Sequence, residues 1–72
     1  MRDKNGWTPL HEAARMGQAH VVEYLIQQGA SLNALTNAGG TPLYIAAKFQ
    51  GTESPIYNLL QQLGGLHLGP EL

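Results

Sequence analysis

Histidine, glutamate and serine are the side chains of this sequence that suit proton transfer, metal binding or nucleophilic attack, and none stands at the spacing such work needs. His11-Glu12 opens like the zinc motif HExxH, but alanines follow and no second histidine stands at i+4. His20 and His67 sit at no metal-ligand spacing from His11. The sequence has no cysteine, which excludes disulfides and cysteine metal sites. Glu12 and Glu23 fall on different predicted helices and read as solvated positions rather than an acid–base pair. Ser31 lies in a loop, and Ser54 precedes a proline where a hydroxyl caps a helix, so no Ser/His/Asp grouping forms. The stretch "NAGGTP" has glycines but lacks the lysine and spacing of a phosphate loop. With no convergent polar site, the expectation is a chain that is not an enzyme, with no catalytic, metal or cofactor-binding residues and no cofactor.

What remains is a chain built to pack. Its 72 residues allow one small domain, and a core of that size supplies roughly 3–5 kcal/mol at best. Hydrophobic residues make up 43%, enough for such a core. The net charge of −1 argues against general polyanion binding, so no nucleic acid is expected. No apolar run approaches the about 20 residues of a membrane span, and "MRDKNGW" lacks the apolar core of a secretory signal. The expectation is a soluble intracellular protein, in cytoplasm or nucleus, with no membrane partner.

The organising feature is a repeat. "TPLHEAA", Thr8 to Ala14, returns as "TPLYIAA", Thr41 to Ala47, 33 positions on. At that offset Gly6 meets Gly39 and Arg15 meets Lys48. The register then slips by one at Gln50, after which Gly17 pairs with Gly51, Val22 with Ile56, Leu25 with Leu59 and Ile26 with Leu60. A period near 33 marks a stacked repeat, in which each unit buries a face against the next.

Each unit has one physical grammar. Gly6 or Gly39 allows a tight turn at positive φ. Thr8 or Thr41 caps a helix whose first residue is proline, and Gly17 closes the first such helix. Leu10, Ala13 and Ala14 form a narrow apolar stripe that lets a neighbour come close. A second helix carries Val21, Val22, Leu25 and Ile26, or Ile56, Leu59, Leu60 and Leu63. The pattern predicts first helices over 9–16 and 42–49, and second helices over 19–28 and 55–63. One extra residue, Gln50, should lengthen the connection or the helix end in the second unit.

These residues resemble the ankyrin repeat, whose T-P-L-H-x-A pattern is met by Thr8, Pro9, Leu10, His11 and Ala13. "GQAHVVEYLIQQGASLNAL" is similar to the family's second helix and exit loop. The second unit departs from the pattern: Tyr44 stands for the histidine, Thr36 for the aspartate that Asp3 provides, and Gly64-Gly65 and His67 alter the exit loop. The resemblance implies an all-α solenoid of two helix-turn-helix repeats with hairpin finger loops, about 3–35 and 36–68, and a short tail 69–72. It implies that His11 hydrogen-bonds the threonine of its own motif and nearby backbone. It also implies a protein-interaction module, part of a longer array, that binds through finger tips and first helices.

The partner-binding positions it implies are Lys4, Asn5, Trp7, Arg15, Met16, Leu35, Asn37, Lys48 and Phe49, with Ala38 and Gly40 beside them. Trp7, Met16, Leu35 and Phe49 are large and apolar where a scaffold accepts polar groups, and such residues mark binding hot spots. All four basic residues, Arg2, Lys4, Arg15 and Lys48, fall on this side. The expected partner is a protein segment with an apolar anchor and acidic neighbours. Self-association is expected through an exposed C-terminal repeat face, at Leu59, Leu60, Leu63, Leu66 and Leu68. Two other readings are a targeting or regulatory arm of a larger enzyme and a purely structural spacer.

Overall fold

The computed structural model describes residues 4–69; Arg2, Asp3 and the tail residues 70–72 named above lie outside them. Four helices follow in order: α1 Pro9–Met16, α2 Ala19–Gln27, α3 Pro42–Phe49 and α4 Pro55–Gln62. Among the described residues there is no strand. The first helices end where expected, and the second helices each stop one residue short, at the capping residues Gln28 and Leu63.

The helix starts follow from the threonine–proline pairs. The Thr8 hydroxyl accepts the His11 N–H, and the Thr41 hydroxyl accepts that of Tyr44. Ser54 does the same for Tyr57. Each supplies an acceptor to a helix N-terminus that has none of its own, which stabilises by about 1 kcal/mol. Gly17, at φ 72°, closes α1 in the left-handed region and returns its N–H to Ala13 and Ala14.

The two units pack through their first helices. Leu10, Ala13 and Ala14 of α1 and Leu43, Ile45 and Ala46 of α3 share one core with Val22, Ile56 and Leu60 of the second helices. The alanines carry little bulk, so α1 lies against α3 more extensively than against its own partner α2.

Gln50 does both things expected of an inserted residue. It extends α3 by a helical backbone position as its cap, and the closing glycine moves to Gly51, at φ 99°. The connection to α4 covers 50–54 against 17–18 between α1 and α2; Gln50 is one of the three added residues, and the other two arise because α4 starts at Pro55, two positions later in register than Ala19. Its side chain adds something the sequence did not announce: Gln50 Nε2 donates to the Arg15 carbonyl at 2.6 Å, capping α1 from the other repeat. Gln50→Ala should lower stability by no more than about 1 kcal/mol in urea unfolding, since the bond is exposed and neutral. A larger loss would mean that this cross-repeat cap holds the stack.

The expected hairpin fingers are tight turns rather than ladders. In the second, Thr36 N–H donates to the Gly40 carbonyl at 2.9 Å, and Gly39 N–H returns to the Thr36 carbonyl at 2.9 Å. Two glycines and four residues of reach leave no room for further strand pairs.

The expected open C-terminal face needs a larger correction. Leu60 is fully buried and Leu59 half-buried, because Ile56 and Leu60, one turn apart, point α4 into the core. Only Leu63, Leu66 and Leu68 of that set are exposed. Beyond α4 the chain folds back on α3: Thr41 N–H donates to Leu68 O at 2.8 Å, the Thr41 hydroxyl donates to Leu66 O, and His67 stacks edge-on against Tyr44 with centroids 5.9 Å apart. A Cβ at Gly69 would run into the Tyr44 ring, so only glycine lets the chain lie this close.

Candidate functional site

The fingers are joined to each other before they meet anything else. Asn37 N–H donates to the Asn5 carbonyl at 2.9 Å, and Asn37 Nδ2 donates to the Lys4 carbonyl at 3.1 Å. Gly6, at φ 78°, lies so close to Asn37 that a Cβ there would clash. Asn37, read from sequence as a free contact position, therefore also ties one finger to the next.

His11 anchors the base of the same region. It is fully buried, with Nδ1 3.1 Å from Thr8 N and 2.8 Å from Thr8 Oγ1, and Nε2 2.9 Å from the Gly40 carbonyl. An N–H can only donate and a carbonyl can only accept. Nδ1 is thus the acceptor and Nε2–H the donor, which fixes the neutral tautomer. The ring closes a capping box in the first repeat while holding the finger of the second. A side chain whose two nitrogens are both spent on backbone has none left for a substrate.

Above it lies a cleft of about 270 Å³ between the fingers and α3. Asn5, Trp7, Asn37 and Ala38 form its finger side, and Ile45 and Lys48 its helix side. Trp7 is half-buried and meets Phe49 edge-on, with centroids 6.2 Å apart. The Phe49 ring in turn has Lys48 Nζ 5.7 Å and the Arg15 guanidinium 6.0 Å from its centroid, both within cation–π range. Two aromatic rings and two cations thus form one cluster at the C-terminal ends of α1 and α3.

Of the positions predicted from sequence, Asn5, Trp7, Asn37, Ala38 and Lys48 line the cleft. Arg15 and Phe49 join it through that cluster. Lys4 contributes its backbone carbonyl to the finger bond. Met16 and Leu35 are exposed, 55% and 47%, but stand outside the cleft lining. Sequence reasoning missed Ile45, because its counterpart in the first repeat is the charged Glu12. It also missed that Glu12 pairs with Arg15 at 3.4 Å, the only ion pair among the described residues. The i,i+3 spacing was the available signal. This pairing partly neutralises Arg15; among the described residues no carboxylate pairs with Lys48.

A family model described as "Ankyrin repeats (3 copies)" matches residues 1–67, nearly the whole chain. The chain belongs to the ankyrin-repeat family. The described residues form two helix pairs where the family model describes three copies. Among curated relatives it is 51% identical over 47 residues to alpha-latrotoxin-Lh1a of Latrodectus hasselti, covering 64% of this chain and 4% of the toxin. It is 42% identical over 55 residues to diacylglycerol kinase zeta of Rattus norvegicus, covering 76% of this chain and 6% of the kinase. To SH3 and multiple ankyrin repeat domains protein 2 of Homo sapiens it is 38% identical over 48 residues, covering 67% and 3%.

The chain therefore spans a small part of the relatives it matches. Ankyrin repeats are non-catalytic protein-interaction modules, and the kinase shows that an enzyme can carry them. The second copy's departures from the family pattern have visible counterparts. Tyr44 cannot make the bonds of His11, and its ring is covered by His67 and Gly69 where His11 is met by Gly40.

Proposed function

We propose that this ankyrin-repeat chain binds a protein segment in the cleft between its fingers and α3, with an apolar side chain against Trp7 and Ile45 and an Asp or Glu at Lys48. The observation that supports this most is the joint construction of the cleft: Asn5 and Trp7 come from the first repeat, Asn37, Ile45 and Lys48 from the second. Phe49 adds its ring beside Trp7 and Arg15 its guanidinium beside Phe49, and Lys4, Met16 and Leu35 remain further contact positions in this reading. Aromatic residues in such a place carry affinity, while the cations steer and orient. In this reading the chain does no chemistry of its own and acts inside the cell. Nucleic acid is a poor fit, since the three described cations Lys4, Arg15 and Lys48, one of them paired, are too few for the many phosphate contacts it needs.

A random peptide library displayed against the chain tests this. Selected peptides should be enriched in an apolar residue close to Asp or Glu. For such a peptide, Lys48→Glu should slow association and flatten its dependence on salt, with a smaller change in dissociation. Selected peptides without acidic residues, or a salt response unchanged by Lys48→Glu, would remove the charge part of the proposal.

A further inference from the structure

The two first helices treat their cations differently. In α1, Glu12 stands one turn before Arg15 and pairs with it at 3.4 Å. In α3 the same place before Lys48 is taken by Ile45, which is buried and lines the cleft. The second repeat therefore keeps the cation of the pattern and lacks its acid. Yet both cations meet one ring: the Arg15 guanidinium lies 6.0 Å and Lys48 Nζ 5.7 Å from the Phe49 centroid. Charges held that close to a common point are no further apart than about four extended residues reach. A ligand crossing Phe49 in extended form has the length to set an acid against each.

We propose that Glu12 sets the charge selectivity of the cleft, by occupying Arg15 from within the first repeat and leaving Lys48 to the ligand. The inference rests on the reading of the cleft given above and adds to it how many acids a ligand carries. One acidic side chain, seated at Lys48, takes there the place that Glu12 takes at Arg15. A second acid on the ligand meets Glu12 beside Arg15, a like charge. Selectivity is a difference between affinities, and a repulsive group contributes to it as an attractive one does. Glu12 is exposed, and it stands in the first turn of α1, where the helix N-terminus favours a carboxylate. An exposed pair of this kind adds little to stability, since solvent screens it and both side chains lose freedom in making it. Its consequence lies in which charges stay available to a partner.

One random peptide library displayed against the parent chain, Glu12→Gln and Glu23→Gln tests this. Glutamine keeps the size of the side chain and removes its charge, and Glu23 is an exposed carboxylate of α2 outside the cleft lining. Circular dichroism confirms that each variant keeps its helix content. The parent should select peptides with one acidic residue close to an apolar one. Glu12→Gln should select peptides with two acids, and calorimetric titration should find these bound about threefold tighter than by the parent, the scale of an exposed ion pair. Glu23→Gln makes the same change in net charge and should select as the parent does. Adding Arg15→Gln to Glu12→Gln should remove the gain, which assigns it to Arg15. No acidic preference in the parent would overturn the reading of the cleft and this inference with it. Acidic peptides with the same number of acids for the parent and Glu12→Gln would overturn this inference alone. So would a gain shared by Glu23→Gln, which would be one of net charge, or a gain that survives the loss of Arg15.

Discussion

His11→Ala should leave the chain without a cooperative unfolding transition at 25 °C. The substitution removes the acceptor of the Thr8 N–H, the donor to the Gly40 carbonyl and a buried ring at once. Losing half of a capping box costs about 1 kcal/mol, losing one of the two donors to the Gly40 carbonyl, which keeps the Thr36 N–H, costs about 1 more, and the cavity left by a fully buried ring adds about 2 or more. Set against the roughly 3–5 kcal/mol that a core of this size supplies, the remainder is close to zero. His20→Ala is the control: that histidine is exposed on α2, and its loss should shift stability by about 0.5 kcal/mol or less. Urea titration followed by circular dichroism measures both. A His11→Ala chain that still unfolds cooperatively, within about 1 kcal/mol of the parent, would mean that the bond from one repeat to the next finger contributes little.

Trp7→Ala should weaken binding of a library-selected peptide by about 2 kcal/mol, roughly thirtyfold in Kd, and Phe49→Ala by more than about 1 kcal/mol. Trp7 lines the cleft and stands edge-on against Phe49, so removing either ring takes away the wall that the other leans on. Trp7 also packs on the core, which makes a stability effect part of the expectation. Trp7→Phe separates the two, since it keeps a ring for packing while shrinking the surface offered to a ligand. Glu23→Ala, an exposed change on α2, is the control away from the cleft. Calorimetric titration reads all four variants. Equal losses at Trp7 and Glu23, or none at Trp7, would place the binding surface elsewhere.

The fold was legible wherever a residue acts through its own backbone. Thr8-Pro9, Thr41-Pro42 and Ser54-Pro55 set the helix starts, and Gly17 the first helix end, because capping and positive φ are local requirements that a sequence states directly. The orientation of α4 was less so. Leu59, Leu60 and Leu63 are alike in type, and only the packing distinguishes the buried Leu60 from its neighbours. The site divides along the same line. Trp7 and Lys48 were found because they depart from what a scaffold needs. Gln50 on Arg15, Asn37 on Asn5 and the chain end over Tyr44 were not, since each is a contact between segments far apart in sequence. Asn37 is instructive: a polar residue at a loop tip looks free until the neighbouring loop is placed beside it.

Two of the bonds that join neighbouring segments have one length in common. Asn37 Nδ2 reaches the Lys4 carbonyl, and Asn33 Oδ1 accepts the Leu66 N–H, each across 33 residues. The first joins Asn37 to its own counterpart one unit back, whereas the second crosses the inserted Gln50 and joins Asn33 to Leu66, the residue before its counterpart His67. A duplication that copies a whole unit delivers each new loop with its matching partner already in place. A gain or loss of any other length within the loops would orphan those groups. The single residue at Gln50 escapes this rule because it lies at an exposed helix end, between the loops rather than in them. Heritable change in such a chain is thus coarse in its fingers and fine in the turns behind them, and its length can drift one residue at a time only where no neighbour is counting.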